Sequence, residues 1–144
     1  MTIAAILKGK GGEVISLPRE ATVRQAVALL ADRRIGAVPV VDGDSGDVVG
    51  IFSERDVVHS LAAHGAGTLD RPVADVMTRP VQSVGTAEPA IGALSLMTRR
   101  RIRHLPVVED GRMIGFVSIG DLVKYRIDRI EADAAAMREY IQTA

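Results

Sequence analysis

The chain has 144 residues, enough for one ordinary domain or two very small ones. It carries 18 basic and 18 acidic side chains, no cysteine, and only 3% aromatic residues with no Trp. Disulfides, thiolate catalysis and cysteine-ligated zinc are therefore excluded, and neither the net field nor the stacking surface expected of a nucleic-acid or acidic-membrane binder is present. At 47% hydrophobic and 25% charged the chain is globular in type, with a core that must be built from aliphatic side chains and Met.

From the N-terminus, Met1 to Leu7 is a short apolar run without a basic start or a cleavage pattern. No stretch approaches the ~20 apolar residues that cross a bilayer, so a cytoplasmic location and no membrane partner are expected. Gly9-Lys10-Gly11-Gly12 lacks the spacing of a phosphate loop and reads as a flexible link. Val14 to Ser16 reads as a short strand. Val23, Ala26, Val27 and Leu30 then recur at the three- and four-residue steps of a one-sided helix. Two apolar strands follow, Ala37 to Val41 and Val48 to Phe52, joined by the turn-rich segment Asp42 to Asp47. The acidic spacing there faintly resembles a calcium loop, but its twelfth position is Ser53 rather than Glu, and a polar hairpin turn is the better reading. A second helix begins near Ser53, with His59 and His64 toward its end as surface residues.

This β-α-β-β-α order then recurs. With Pro39 set on Pro106, Arg33 to Val41 lies over Arg100 to Val108, and the helical stripe reappears as Ala90, Ala93, Leu94 and Met97. Gly50 to Val58 lies over Gly115 to Val123 once the longer first turn is allowed for, and Ile3 to Leu7 matches Val73 to Met77 loosely. The chain divides into a first unit over 1–70 (core 14–64) and a second over 71–144 (core 81–125). A unit of about 60 residues buries little surface alone. The expectation is an α+β fold with two units packed sheet to sheet around a pseudo-two-fold axis. The last helix, about 119–142, outlasts its counterpart. Its Ile127, Ile130, Ala134, Met137 and Ile141 form an apolar seam that either folds back on its own sheet or joins a second copy.

Two segments carry a family resemblance. Gly50-Ile51-Phe52-Ser53-Glu54-Arg55-Asp56 and Gly115-Phe116-Val117-Ser118-Ile119-Gly120-Asp121 both satisfy a signature of Gly, two hydrophobics, Ser or Thr, two variable residues and Asp or Asn. Gly36-Ala37-Val38-Pro39 satisfies its companion, Gly-x-x-Pro, whereas Arg103-His104-Leu105-Pro106 has Arg in place of the Gly. In these features the chain resembles the cystathionine-β-synthase-type (CBS) domain family, as a stand-alone tandem pair of bacterial type. The resemblance implies an adenosine-containing ligand (AMP, ADP, ATP, NAD(H) or S-adenosylmethionine) in clefts between the units. It also implies a regulatory or energy-sensing role on a partner in trans, and a homodimer. No nucleophile–base pair, paired carboxylates or metal-ligand set is apparent, so no catalytic activity is expected.

The resemblance assigns ligand roles to Ser118, Asp121, Arg103, His104 and Ile102 in the second unit and to Ser53, Asp56, Arg55, Gly36 and Ala37 in the first. An ionised carboxylate accepts hydrogen bonds and so suits the paired hydroxyls of a ribose. The Ser positions fall at a strand-to-helix junction, where free N–H groups and the helix dipole favour a phosphate. Arg103, His104 and Arg55 would add positive charge. The same Ser-x-x-Asp spacing is equally that of a helix cap, and the two roles are compatible. Arg33-Arg34 and Arg99-Arg100-Arg101 lie where a helix C-terminus favours cations, mostly on a solvated face.

Overall fold

The computed structural model describes residues 1–11 and 13–143. Helix α1 (Ile3–Lys10) is followed by β1 (Leu17–Pro18), α2 (Val23–Arg33), β2 (Ala37–Val41), β3 (Val48–Ser53) and α3 (Glu54–His64). Two short 3-10 turns, Gly65–Asp70 and Val73–Asp75, lead to α4 (Ala90–Arg100), β4 (His104–Glu109), β5 (Arg112–Ser118) and α5 (Ile119–Thr143). This is the expected mixed α+β pair of units. The first carries a sheet in the order β1-β2-β3, the second a hairpin of β4 and β5.

Matching residues hold matching places. Val38 pairs with Phe52 as Leu105 pairs with Val117, and each hairpin has a register shift at the corresponding step, Val40/Val41 and Val107/Val108. Each first helix ends on a left-handed residue at the same position, Arg34 (φ 54) and Arg101 (φ 53). Thr22 and Gln25 form a reciprocal cap at the start of α2, whereas Pro89 stands at the start of α4 and contributes only its fixed φ.

The first strand differs from the sequence reading. Val14 to Ser16 is not in the sheet; Leu17 and Pro18 pair with Val40 and Val41 instead. In the second unit the equivalent is a single bridge, Val84 with Val107. Two residues of pairing are too few to leave an alternation that a sequence pattern can register.

A second difference shapes the whole molecule. Gly9 and Lys10 are not a link but the last turn of α1, and Gly12 of that stretch lies outside the described residues. α1 precedes the core of the first unit but packs on the second: Ile3 and Ile6 are buried with Met97, Leu105, Val107, Val117 and Leu122. The segment after the first unit does the reverse of its sequence equivalent, with Val73 buried among Val23, Val38, Val40 and Phe52. The backbone repeats the exchange. Ala90 N–H, the first of α4, donates to Met1 O at 2.9 Å, and Val23 N–H, the first of α2, donates to Arg71 O at 2.8 Å. Each helix start thus has an orphan donor satisfied by an exchanged segment.

The signature glycines are where these segments pass over the hairpins. A Cβ at Gly115 would stand 2.5 Å from Leu7 Cδ2, and one at Gly50 would collide with the Met77 side chain. α5 does not fold back on its own sheet: beyond Tyr125 it is exposed along its length. Among the described residues no helix is long and apolar enough to cross a membrane.

Because Ile3 is fully buried in the second unit's core, Ile3→Ala should cost about 2–5 kcal/mol in equilibrium urea unfolding. A loss of the size expected for an exposed N-terminal residue, below about 0.5 kcal/mol, would show that α1 does not belong to that core.

Candidate functional site

A cavity of about 380 Å³ opens between the two units. Ser118 and Asp121 reach it from the start of α5, and His104 and Phe116 from the β4–β5 hairpin. Across from them stand Arg34, Ile35, Gly36 and Ala37 of the first unit, and the end of α1 closes one side with Leu7 and Lys10. Five of the ten residues anticipated from sequence are therefore gathered here: Ser118, Asp121, His104, Gly36 and Ala37.

The other five lie elsewhere. Ile102 packs against the second unit's core, and Arg103 is exposed while its carbonyl accepts from Ile119 N–H at 2.7 Å. Arg55 lies on the exposed face of α3, its Nε 3.5 Å from His59 Nε2. Ser53 and Asp56 sit at the equivalent junction of the first unit, outside this cavity.

At both junctions the helix-cap reading is realised. Ser118 N–H donates to Asp121 Oδ2 at 2.9 Å while Asp121 N–H donates to Ser118 Oγ at 3.1 Å. Ser53 and Asp56 repeat the exchange at 2.8 and 3.4 Å. Capping consumes one oxygen of each carboxylate, and the other oxygen separates the two sites. Asp56 Oδ1 accepts from the Thr78 hydroxyl at 2.8 Å. Among the described residues Asp121 Oδ1 takes no such bond, and Asp121 itself lines the cavity.

Lys10 is the residue that sequence reasoning missed. Its Nζ is 2.7 Å from Asp121 Oδ2 and donates to Phe116 O at 2.6 Å. The match of Ile3–Leu7 to Val73–Met77 was the available signal, but nothing in it says that the segment crosses to the other unit. Arg34 was placed on a solvated face; its left-handed cap turns the chain at the cavity's edge.

These contacts set the protonation states. Burial raises the Asp121 carboxyl, but the Lys10 ammonium and the Ser118 hydrogen bonds outweigh it, and the group is held below its ordinary range. Burial is the first cause that lowers His104, reinforced by Lys10 and Arg103 and opposed by Asp121. His104 is thus neutral at pH 7 and supplies no charge to an anion in this state, contrary to the role drawn from sequence. Its ring stacks on Phe116 instead, with centroids 5.6 Å apart and planes 11° from parallel. The site offers one acceptor carboxylate, a hydroxyl and helix N-terminus, a flat aromatic wall, and two cations.

Both depressed groups stabilise the fold above their unfolded pKa values, and that contribution is lost as the pH falls through the folded ones. Lys10→Met should therefore raise both, with the His104 ring and Asp121 carboxyl followed by NMR titration. Unmoved titrations would mean that Lys10 does not contact this site in solution.

The comparisons with known proteins agree with this architecture. The CBS domain model matches residues 12–63 and 73–128. A CBS-domain containing protein of Agrobacterium tumefaciens is 38% identical with a TM-score of 0.83, over 87% of this chain and 92% of that one. A mitochondrial CBS domain-containing protein of Arabidopsis thaliana is 34% identical over 98% of this chain and 72% of its own length. The CBS domain pair of protein MJ0100, solved in complex with 5′-methylthioadenosine and S-adenosyl-L-methionine, is 25% identical with a TM-score of 0.79, over 90% of this chain and 98% of that one. With two matched units that together span most of its length, this chain belongs to the CBS domain family as a tandem pair.

Proposed function

We propose that the cleft at Asp121 binds an adenosine-containing ligand of the AMP, ATP or NAD(H) class, and that its occupancy regulates a partner protein in trans. The observation that carries this reading is Asp121, with one oxygen that takes no hydrogen bond among the described residues, in a cavity shared by both units, beside the Ser118 hydroxyl at the start of a long helix. A volume of about 380 Å³ is within the usual range for a small-molecule site. The adenosine-type ligands of the MJ0100 pair support the ligand class.

Each group then has a task. Asp121 Oδ1 accepts from a ribose hydroxyl, and the chain at Ile35 to Ala37, which lines the facing wall, meets the base edge. A phosphate takes the Ser118 hydroxyl at the start of α5, where the helix dipole favours an anion. Lys10 is already within reach and turns from Asp121 toward the phosphate, with Arg34 as a second cation. The Ser53–Asp56 site is the weaker of the two, because Thr78 occupies Asp56 and Arg103 replaces the glycine of the companion signature. Ile102 and Arg55 belong to that second site. The working assembly is a homodimer. Ligand energy acts on it only through a difference in affinity between two shapes, commonly about 1–3 kcal/mol.

One observation favours a second reading, a ligand-free interaction scaffold: both caps are complete without any ligand. Calorimetric titration of nucleotide-stripped protein with AMP, ATP, NADH and S-adenosylmethionine separates the two. Micromolar binding of one of these is expected, weakened about ten- to a hundredfold by Asp121→Ala with circular dichroism unchanged. Asp56→Ala should change it by less than about threefold. Flat traces with all four ligands on folded protein would leave the scaffold as the better account.

A further inference from the structure

α5 is a 25-residue helix, but only its start is packed. Ile119, Leu122 and Tyr125 dock it on the second unit, and from Arg126 to Thr143 every residue is exposed. That leaves about 25 Å of helix projecting into solvent. Most helical stability in proteins comes from packing an apolar face, so a partner surface is expected along this stretch.

The exposed apolar side chains are not scattered. Val123, Ile127, Ile130, Ala134, Met137 and Ile141 follow alternating steps of four and three, the a and d positions of a heptad repeat. The large ones are increasingly exposed along the helix, from 44% at Val123 to 67% at Ile141. Ile119, Leu122 and Tyr125 occupy the g, c and f positions, so the seam faces away from the unit on which α5 is docked.

The flanking charges select an occupant and a direction. We propose that α5 pairs with α5 of a second copy of this chain as a parallel, in-register two-stranded coiled coil. In that arrangement a g residue faces the e residue of the next heptad on the other helix. Arg126 then faces Glu131 of the second copy and Asp133 faces its Arg138, and the two-fold axis repeats both pairs. All six apolar layers are used. An antiparallel pair with the same six layers puts Glu131 against Glu131 and Asp133 against Asp133. Sliding it by one heptad relieves the charges but leaves Met137 and Ile141 without seam partners. This inference rests on the homodimer reading above and specifies its seam; it does not depend on the ligand.

Light scattering behind size exclusion at micromolar concentration should give twice the 15.3 kDa of one chain, and Ile130→Asp should return the monomer. The chain has no cysteine, so single-cysteine variants give a direct readout of direction. Ile141→Cys should cross-link to a covalent dimer in air on a non-reducing gel, whereas Glu139→Cys, on the outward face, should not. Glu131→Lys should weaken the dimer, and adding Arg126→Glu should restore it. A wild-type monomer would overturn both the homodimer and the seam. A dimer that survives Ile130→Asp, or one in which Ile141→Cys fails to cross-link, would overturn the seam while leaving the homodimer standing.

Discussion

The packing of Leu7 over Gly115, and of Met77 over Gly50, ties each hairpin to a segment that its own sequence repeat does not contain. Ile3 and Ile6 complete one core from before the first repeat, and Val73 completes the other from between the two. A unit of this size has little surface to bury by itself, and the exchange adds buried aliphatic area to both without lengthening either. It also makes the first position of each signature a steric requirement. A side chain at Gly115 or Gly50 occupies the space through which the exchanged segment passes.

That exchange also makes the two clefts unequal. α1 delivers Lys10 to Asp121, whereas the segment equivalent to α1 delivers Thr78 to Asp56. The first pairing is between charges and, among the described residues, leaves one carboxylate oxygen of this cavity-lining residue without a partner. The second is between a hydroxyl and the oxygen that would otherwise be open. The walls differ as well, since the stacked His104 and Phe116 correspond in the repeat to Ala37 and Ile51. Duplication supplied two similar junctions, and a few side chains at the seams between segments have made them chemically distinct.

Much of this was legible in the residues. The stripe Val23, Ala26, Leu30, the strand pairs around Pro39 and Pro106 and the extent of α5 all follow from local periodicity. Both Ser-x-x-Asp caps are one of the two compatible roles that the spacing allows. The failures share a cause, which is that they are decided by contacts across the chain. Leu17 and Pro18 are a strand only because Val40 and Val41 lie beside them. Gly9 and Lys10 have poor or indifferent local signals, and they are helical because α1 is held on the second unit by Ile3 and Ile6. His104 takes a cationic role from the family signature, whereas burial and a lysine 94 positions away, a separation no motif spans, lower its pKa.

α5 joins the two ends of the functional argument. Its first turn, capped by Ser118, carries Asp121 at the cleft, and its later turns carry the exposed seam, with no break between them. A continuous helix transmits displacement as a lever, so a small rotation at Asp121 becomes a larger movement at Ile141. The groups that fix the lever's near end are few: the core contacts of Ile119, Leu122 and Tyr125, and the bond from Lys10 to Asp121. On the proposed reading a ligand alters the second of these directly, by offering Lys10 a phosphate and Asp121 a ribose. The core contacts of Leu122 lie outside that exchange, so on the same reading the helix pivots rather than releases. Coupling between cleft and seam is then set by how differently two pivot positions hold the same ligand, and not by how tightly either binds it.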